Sequence, residues 1–293
     1  MKRPSYATKN VLKTFITNAL EEDLGDGDHS TLSTIPKDLN QSARCLIKED
    51  CILAGVELAE IIFQTFDRKL TMEVLLQDGQ QAKKGDVAFI VHGPARSILQ
   101  TERLVLNCMQ RMSGIATLTH EWDARLVGTK TKLLDTRKTT PNFRVCEKWA
   151  VAIGGGTNHR YGLYDMIMLK DNHIDFCGGI LPAVTACKDY LKKEKKKLKI
   201  EVETRNLKEV EEALQAGVDR IMLDNMDIPT MHKAVEFISG RCESEASGNM
   251  SREKLAQVAA CGVDYISAGA LTHSAKNIDI SLKAYTEKKS NIE

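Results

Sequence analysis

From about residue 130 onward the chain repeats one pattern: a short, mostly apolar run, then a longer stretch with helical spacing. The runs are KLLDT (132–136), MIMLK (166–170), KIEVE (199–203), RIMLD (220–224), a weaker CESEAS (242–247) and YISAG (265–269). Between them lie FRVCEKWAVAI, ILPAVTACKDYL, NLKEVEEALQAG, IPTMHKAVEFI and SREKLAQVAACG, whose apolar positions keep a helix period. Connections of this length join parallel strands, because antiparallel neighbours need only a tight turn. Strand–helix units in unbroken series predict an α/β fold, a (β/α) barrel, complete or incomplete, rather than an isolated crossover.

The first third lacks that regularity. KNVLKTFITNALEE (9–22) and GVELAEIIFQTF (55–66) predict helices, and ARCLIKED (43–50), LTMEVLL (70–76) and VAFIVHG (87–93) predict strands. LGDGDHSTLST reads as a loop and KKGD (83–86) as a turn. The mixture predicts an N-terminal α+β domain over 1–115. A long helical stretch, 95–126, with Gly114 expected to interrupt or kink it, leads toward the barrel, placed at 116–274. DISLKAY (279–285) has a short helical pattern, and the segment 275–293 is expected to pack back on the first domain.

The 293 residues carry a formal net charge of +1 and 42% hydrophobic residues, the profile of a globular chain with a sizeable core. Near-zero charge argues against nucleic acid or a membrane surface as partner. Apolar runs long enough to span a bilayer are absent, and MKRPSYATKN lacks the apolar core of a signal peptide. Cysteines without CxxC or metal-ligand spacing read as reduced thiols, and together these features predict a cytoplasmic location. The basic run KKEKKKLK (192–199) reads as a solvated helix end rather than a nuclear signal.

In a parallel barrel the carboxyl ends of all strands meet at one rim, where active sites of such barrels lie. Here those ends carry Asp135, Thr136, Arg137 and Lys138; Lys170 to His173; Glu201 and Glu203; Asp224 and Asn225; Ser247, Gly248 and Asn249; and Ser267 to Ala270. Period-two alternation puts Glu201 and Glu203 on one strand face and Ile200 and Val202 on the other, so the glutamates point into the barrel. A carboxylate there needs a cation or a metal, and the cations on offer are Lys138 and Lys170, with Arg137 near. The small residues at 247–249 and 267–270, each before a helical turn, suit an anion cradled by backbone N–H groups. GGGTNHRYGLYD (154–165) adds His159 and Arg160. Several cations converging on one ligand fit a molecule with two or more carboxylates, which arginine forks match bidentately.

The series TERLVLNCMQRMSGIAT, DTRKTTP, GGGTNHRYGLYDMIMLKDNH, IEVET, IMLDNM, EASGN and YISAGALTHS resembles the quinolinate phosphoribosyltransferase family. The resemblance runs in order from about Glu102 to His273. It implies an N-terminal sandwich domain and an open barrel of the type II phosphoribosyltransferase kind. It also implies transfer of phosphoribose from 5-phosphoribosyl 1-pyrophosphate (PRPP) to quinolinate with Mg²⁺, giving nicotinate mononucleotide, pyrophosphate and CO₂. By the same resemblance Arg137, His159 and Arg160, with Lys138 and Lys170, hold the quinolinate carboxylates, and Lys138, Lys170, Glu203 and Asp224 carry catalysis. Glu203 and Asp224 face the ribose hydroxyls and the metal. Ser247, Gly248, Asn249 and Gly269 line the 5′-phosphate site with His273 near, and Thr136, Ala268 and Ala270 complete the substrate contacts. A homodimer with a shared active site is implied, Arg103 reaching the neighbouring site; the choice between a dimer and a hexamer stays open. Where the family reads SGG this chain has Ser247-Gly248-Asn249, a change that Asn tolerates if position 249 needs positive φ. Two rivals remain at this point: a Schiff-base lyase using Lys170, and a non-catalytic sensor of phosphorylated or carboxylated metabolites.

Overall fold

The computed structural model describes residues 3–285, so the part of the 275–293 segment after Tyr285 lies outside the described residues. Two compact units emerge: one takes the chain up to His120, Thr139–Gly155 and the segment from Ala275 on, and the other takes Glu121–Lys138 and Gly156–Ser274.

In the first unit β1 (Asn40–Ile47), β3 (Thr71–Val74), β5 (Val87–Pro94) and β12 (Ile280–Tyr285) form an antiparallel sheet in the order β12-β1-β5-β3. A small ladder joins β2 (Cys51–Ile52) to β4 (Gln81–Ala82). The helical reading of DISLKAY is corrected by β12, whose Ile280 and Leu282 are buried while Ser281 and Lys283 are not. That is a strand's period of two, and it becomes favourable once β1 supplies a ladder from Ser42 to Ile47. α1 (Lys9–Leu24) starts at Thr8, whose Oγ1 accepts from the Val11 amide, and buries Leu12 and Ile16. Within the stretch read as loop, Asp28 Oδ1 accepts from the Thr31 amide at 3.0 Å and caps a short α2 (His29–Thr34). α3 (Val56–Phe66) sends Phe63 edge-on to Phe89 of β5, with ring centroids 6.0 Å apart.

α4 (Ala95–Asp123) runs unbroken through Gly114, so the expected interruption does not occur. Gly114 serves close approach instead: a Cβ there would lie 1.8 Å from the Lys276 carbonyl oxygen. α5 (Arg144–Ile153), expected among the barrel helices, clusters with the first unit. Its buried Glu147 explains why, since it accepts from the Thr140 amide and hydroxyl and from Arg111 Nε of α4, each at 3.0 Å.

The second unit is a six-stranded parallel sheet. Its strands are β6 (Lys132–Leu134), β7 (Ile167–Leu169), β8 (Ile200–Thr204), β9 (Arg220–Asp224), β10 (Glu243–Ser247) and β11 (Tyr265–Ser267), in the order β6-β11-β10-β9-β8-β7. β6 and β7 are therefore the two edges of an open barrel. α6 (Asp171–Cys177), α7 (Ile180–Lys193), α8 (Leu207–Ala216), α9 (Ile228–Ile238), α10 (Leu255–Ala260) and α11 (Ala270–His273) complete the unit. The basic run lies at the mostly exposed end of α7, and its Lys199 pairs with Glu243 at 3.0 Å. No helix among the described residues is long and apolar enough to cross a membrane.

Gly114→Ala should cost about 1–3 kcal/mol of unfolding free energy, as overpacking does, although alanine is the better helix former. Chemical denaturation tests this; an unchanged or raised midpoint would contradict the close-approach reading.

Candidate active site

Asp135, just past β6, is fully buried and organises the barrel opening. Its Oδ1 accepts from the His159 amide at 2.8 Å and its Oδ2 from Asn158 Nδ2 at 2.7 Å. Thr157 bridges Leu134 in parallel, its amide donating to the Leu133 carbonyl at 2.8 Å. The 157–160 segment is thus stitched to the β6 edge. Arg160 then reaches the other edge, donating from Nη1 to the Met166 carbonyl at 3.1 Å and resting Nη2 3.6 Å from Met168 Sδ on β7. Burial, and then the charge of Arg137, push the Arg160 pKa down.

His159 is buried, with Nε2 3.2 Å from a carboxylate oxygen of Glu201 and 3.2 Å from one of Glu245. Beneath them Arg220 Nη1 lies 2.9 Å from Glu245 and 3.8 Å from Glu201, and its guanidinium sits 4.1 Å from the Tyr265 ring centroid. Burial works against charge on His159, but the Glu201 and Glu245 contacts outweigh it and raise its pKa to about 9. The Arg160 amide lies 2.7 Å from Nδ1, while Nε2 faces the two carboxylates. Glu201 is raised by burial and then by the charge of Glu245; Glu245 is buried too, but the His159 contact holds it below the ordinary range. Glu201 thus finds its cations in His159 and Arg220 rather than in Lys138 or Lys170. Sequence reasoning missed Glu245, because CESEAS scarcely reads as a strand, and Arg220, because it stands at the entering end of β9.

Above this floor a cavity of about 670 Å³ opens at the strand carboxyl ends. Thr136, Arg137, Lys138, His159, Arg160 and Lys170 line it from the β6 and β7 edges, and Glu203 and Asp224 from the middle strands. Ser247, Gly248, Asn249, Ala268, Gly269, Ala270 and His273 line it from the last loops. Lys170 Nζ is 3.4 Å from Glu203, whose pKa is raised chiefly by burial, with Lys170 lowering and Asp224 raising it. Thr136 Oγ1 accepts from the Lys138 amide, and Thr272 Oγ1 donates to the Lys138 carbonyl at 2.8 Å, fixing the backbone under both cations. Asn249 has φ of +44°, the left-handed backbone that its type tolerates. Arg103 stands exposed on α4 in the first unit and is not among the lining residues. Met168, Met222, Met250 and Glu245 line the cavity without having been singled out, and Asn225 and Ser267, named among the strand ends, line it too.

Family models described as quinolinate phosphoribosyl transferase, C-terminal and N-terminal domains, match residues 115–283 and 28–113. The chain belongs to the quinolinate phosphoribosyltransferase family. An Arabidopsis thaliana chloroplastic nicotinate-nucleotide pyrophosphorylase is 48% identical over 98% of this chain and 86% of its own length. A mitochondrial quinolinate phosphoribosyltransferase of Nicotiana tabacum is 47% identical over 97% of this chain and 84% of its own. The NadC crystal structure from Streptococcus pyogenes superposes with a TM-score of 0.89 at 38% identity, covering 95% of this chain and 99% of that one. The open barrel with its N-terminal sheet domain is this family's fold. The relatives named as organellar overturn the expectation of a cytoplasmic enzyme, which rested on composition and on the residues at the start of the chain.

Among the described residues, ligand atoms of His159, Glu201 and Glu245 lie within 4.8 Å of one another, so the chain has a buried group able to hold a metal ion. The group is not specific to Mg²⁺, which prefers oxygen donors and keeps several waters.

The raised His159 pKa has a stability consequence. Its contribution is full below the unfolded value, ~6.5, and is lost as pH climbs through about 9. The difference in melting temperature between wild type and His159→Gln should therefore shrink from pH 6.5 to 9.5; a difference that stays flat or grows would contradict the ion pairs.

Proposed function

We propose that this chain transfers the phosphoribosyl group of PRPP to the ring nitrogen of quinolinate and releases CO₂ and pyrophosphate, forming nicotinate mononucleotide for NAD biosynthesis. It is an enzyme, a pentosyltransferase. The observation that carries the reading is one cavity whose cations stand on the barrel edges, whose carboxylates stand at its centre and whose small-residue loops face them.

In this reading Arg137, His159 and Arg160, with Lys138 and Lys170, receive the two quinolinate carboxylates. They hold the pyridine nitrogen in line with the ribose C1, which converts a bimolecular encounter into an oriented one. Glu203 and Asp224 face the ribose, where pyrophosphate departure leaves an oxocarbenium-like centre that carboxylates stabilise. The loops at Ser247–Asn249 and Ala268–Ala270, with His273, receive the 5′-phosphate through backbone N–H groups. Thr136 supports the clamp through the Lys138 amide. Of the two donor sets, Glu203 and Asp224 suit Mg²⁺ better than the deep trio does, being oxygen-only and open to the cavity. Bound there with PRPP, Mg²⁺ would supply charge neutralisation for the leaving pyrophosphate. Decarboxylation follows ribosylation, since only the cationic ring can hold the electron pair left by CO₂; Lys138 or Lys170 steadies the departing carboxylate. Arg103 serves the site of a second copy in a homodimer or a larger ring.

Arg137→Ala should weaken quinolinate binding by about 30-fold or more, the loss expected when a charge-assisted pair is truncated. Near-normal affinity by calorimetry would reject the clamp. With PRPP and Mg²⁺ supplied, quinolinate should turn over and nicotinate should not; equal rates would reject the dicarboxylate assignment. Arg103→Ala and Glu203→Ala proteins, each inactive, should recover activity when mixed and re-equilibrated, and no recovery would argue against a shared site.

A further inference from the structure

Asn225 and Asn249 stand at adjacent strand ends, after β9 and after β10. The parallel register pairs Asp224 with Ser247, and the Asn225 amide donates to the Ser247 carbonyl at 3.0 Å. Both asparagines hold left-handed backbone, with φ of +52° and +44°. Asn249 Nδ2 donates to Asn225 Oδ1 at 3.2 Å, and Asn225 Nδ2 donates to Asp224 Oδ2 at 2.8 Å. The middle carboxamide has only one workable orientation. Reversed, it would set an oxygen against the Asp224 carboxylate and an NH₂ against another NH₂. Gly248, with φ of +96°, lets the carboxamide lie flat against the loop, because a Cβ there would fall 2.3 Å from Asn225 Oδ1.

We infer that Asn249 is a positioning residue that ties the 247–249 loop to Asp224 through Asn225, setting the phosphate-receiving loop and the ribose-facing carboxylate relative to each other before PRPP binds. The inference rests on the functional reading above. A glycine at 249 permits the same backbone but supplies no amide, so the tie depends on the asparagine side chain this chain carries. Pre-set geometry of this kind acts on PRPP affinity, because the ordering cost is met before binding. The quinolinate cations lie on β6, β7 and the 157–160 segment, outside the relay, so quinolinate affinity should not follow.

The test uses Asn249→Gly, Asn225→Gly and the double variant, since glycine keeps the left-handed backbone at both positions and removes only the side chain. Calorimetry with PRPP and Mg²⁺ should show each single variant weakened about two- to ten-fold, the range of one lost hydrogen bond. The double variant should be no weaker than the worse single, as members of one chain of bonds behave. Quinolinate affinity should stay within about twofold in all three. Unchanged PRPP affinity in either single variant overturns the relay, even if its melting temperature falls, and so do effects that multiply in the double. A wild-type protein that binds PRPP but turns over no quinolinate sinks the functional reading and leaves the relay to the same binding data. One that binds no PRPP sinks both.

Discussion

Glu201, Glu245, Arg220 and His159 meet inside the barrel, and each would be costly there as a lone charge. Two carboxylates share the His159 ring nitrogen and the Arg220 guanidinium, at 2.9 to 3.8 Å, so the floor of the barrel is close to charge-balanced. The consequence is positional. His159 is held from below by carboxylates and from its backbone by Asp135, which also accepts from Asn158. The segment that carries His159 and Arg160 is thereby pinned across the opening between β6 and β7. A barrel that fails to close usually exposes two strand edges; here that gap holds two of the proposed substrate cations.

Strand order turns this floor into a divided cavity. β6 and β7 are the first two strands of the parallel sheet in the sequence yet stand at opposite edges, so Arg137 and Lys138 face Lys170 across the opening. β8 and β9 place Glu203 and Asp224 beside the Lys170 edge, and β10 and β11 bring the small-residue loops between these carboxylates and β6. This division suits the proposed side-by-side binding of a dicarboxylate and a phosphorylated sugar. The raised pKa of Glu203 reflects its half-buried place between Lys170 and Asp224, a setting that a developing positive charge would relieve.

Much of this was legible because its signals are local. Apolar runs gave the six parallel strands within a residue or two, and the residues at their ends included most of those that line the cavity. What stayed hidden depends on distant partners. Ile280 and Leu282 read as helix or strand equally well until β1 offers its edge. Gly114 looks like a helix breaker unless Lys276 is known to cross it. DTRKTTP reads as one motif, yet its threonines divide: Thr136 turns toward the cavity, while Thr140 caps the buried Glu147 in the other unit. Glu245 hides in a strand too polar to look like one, and its burial makes sense only beside Arg220 and His159. The cellular compartment was not legible from composition, since addresses are read by receptors and leave no mark on a packed core.

The central claim is that one cavity holds quinolinate and PRPP together and that ribosylation precedes loss of CO₂. Release of label from quinolinate carrying isotope in the carboxyl group that is lost tests it most directly, measured beside pyrophosphate. The account predicts no release without PRPP, and one CO₂ for each pyrophosphate when PRPP and Mg²⁺ are present. Release without PRPP, or pyrophosphate formed without matching CO₂, would contradict it.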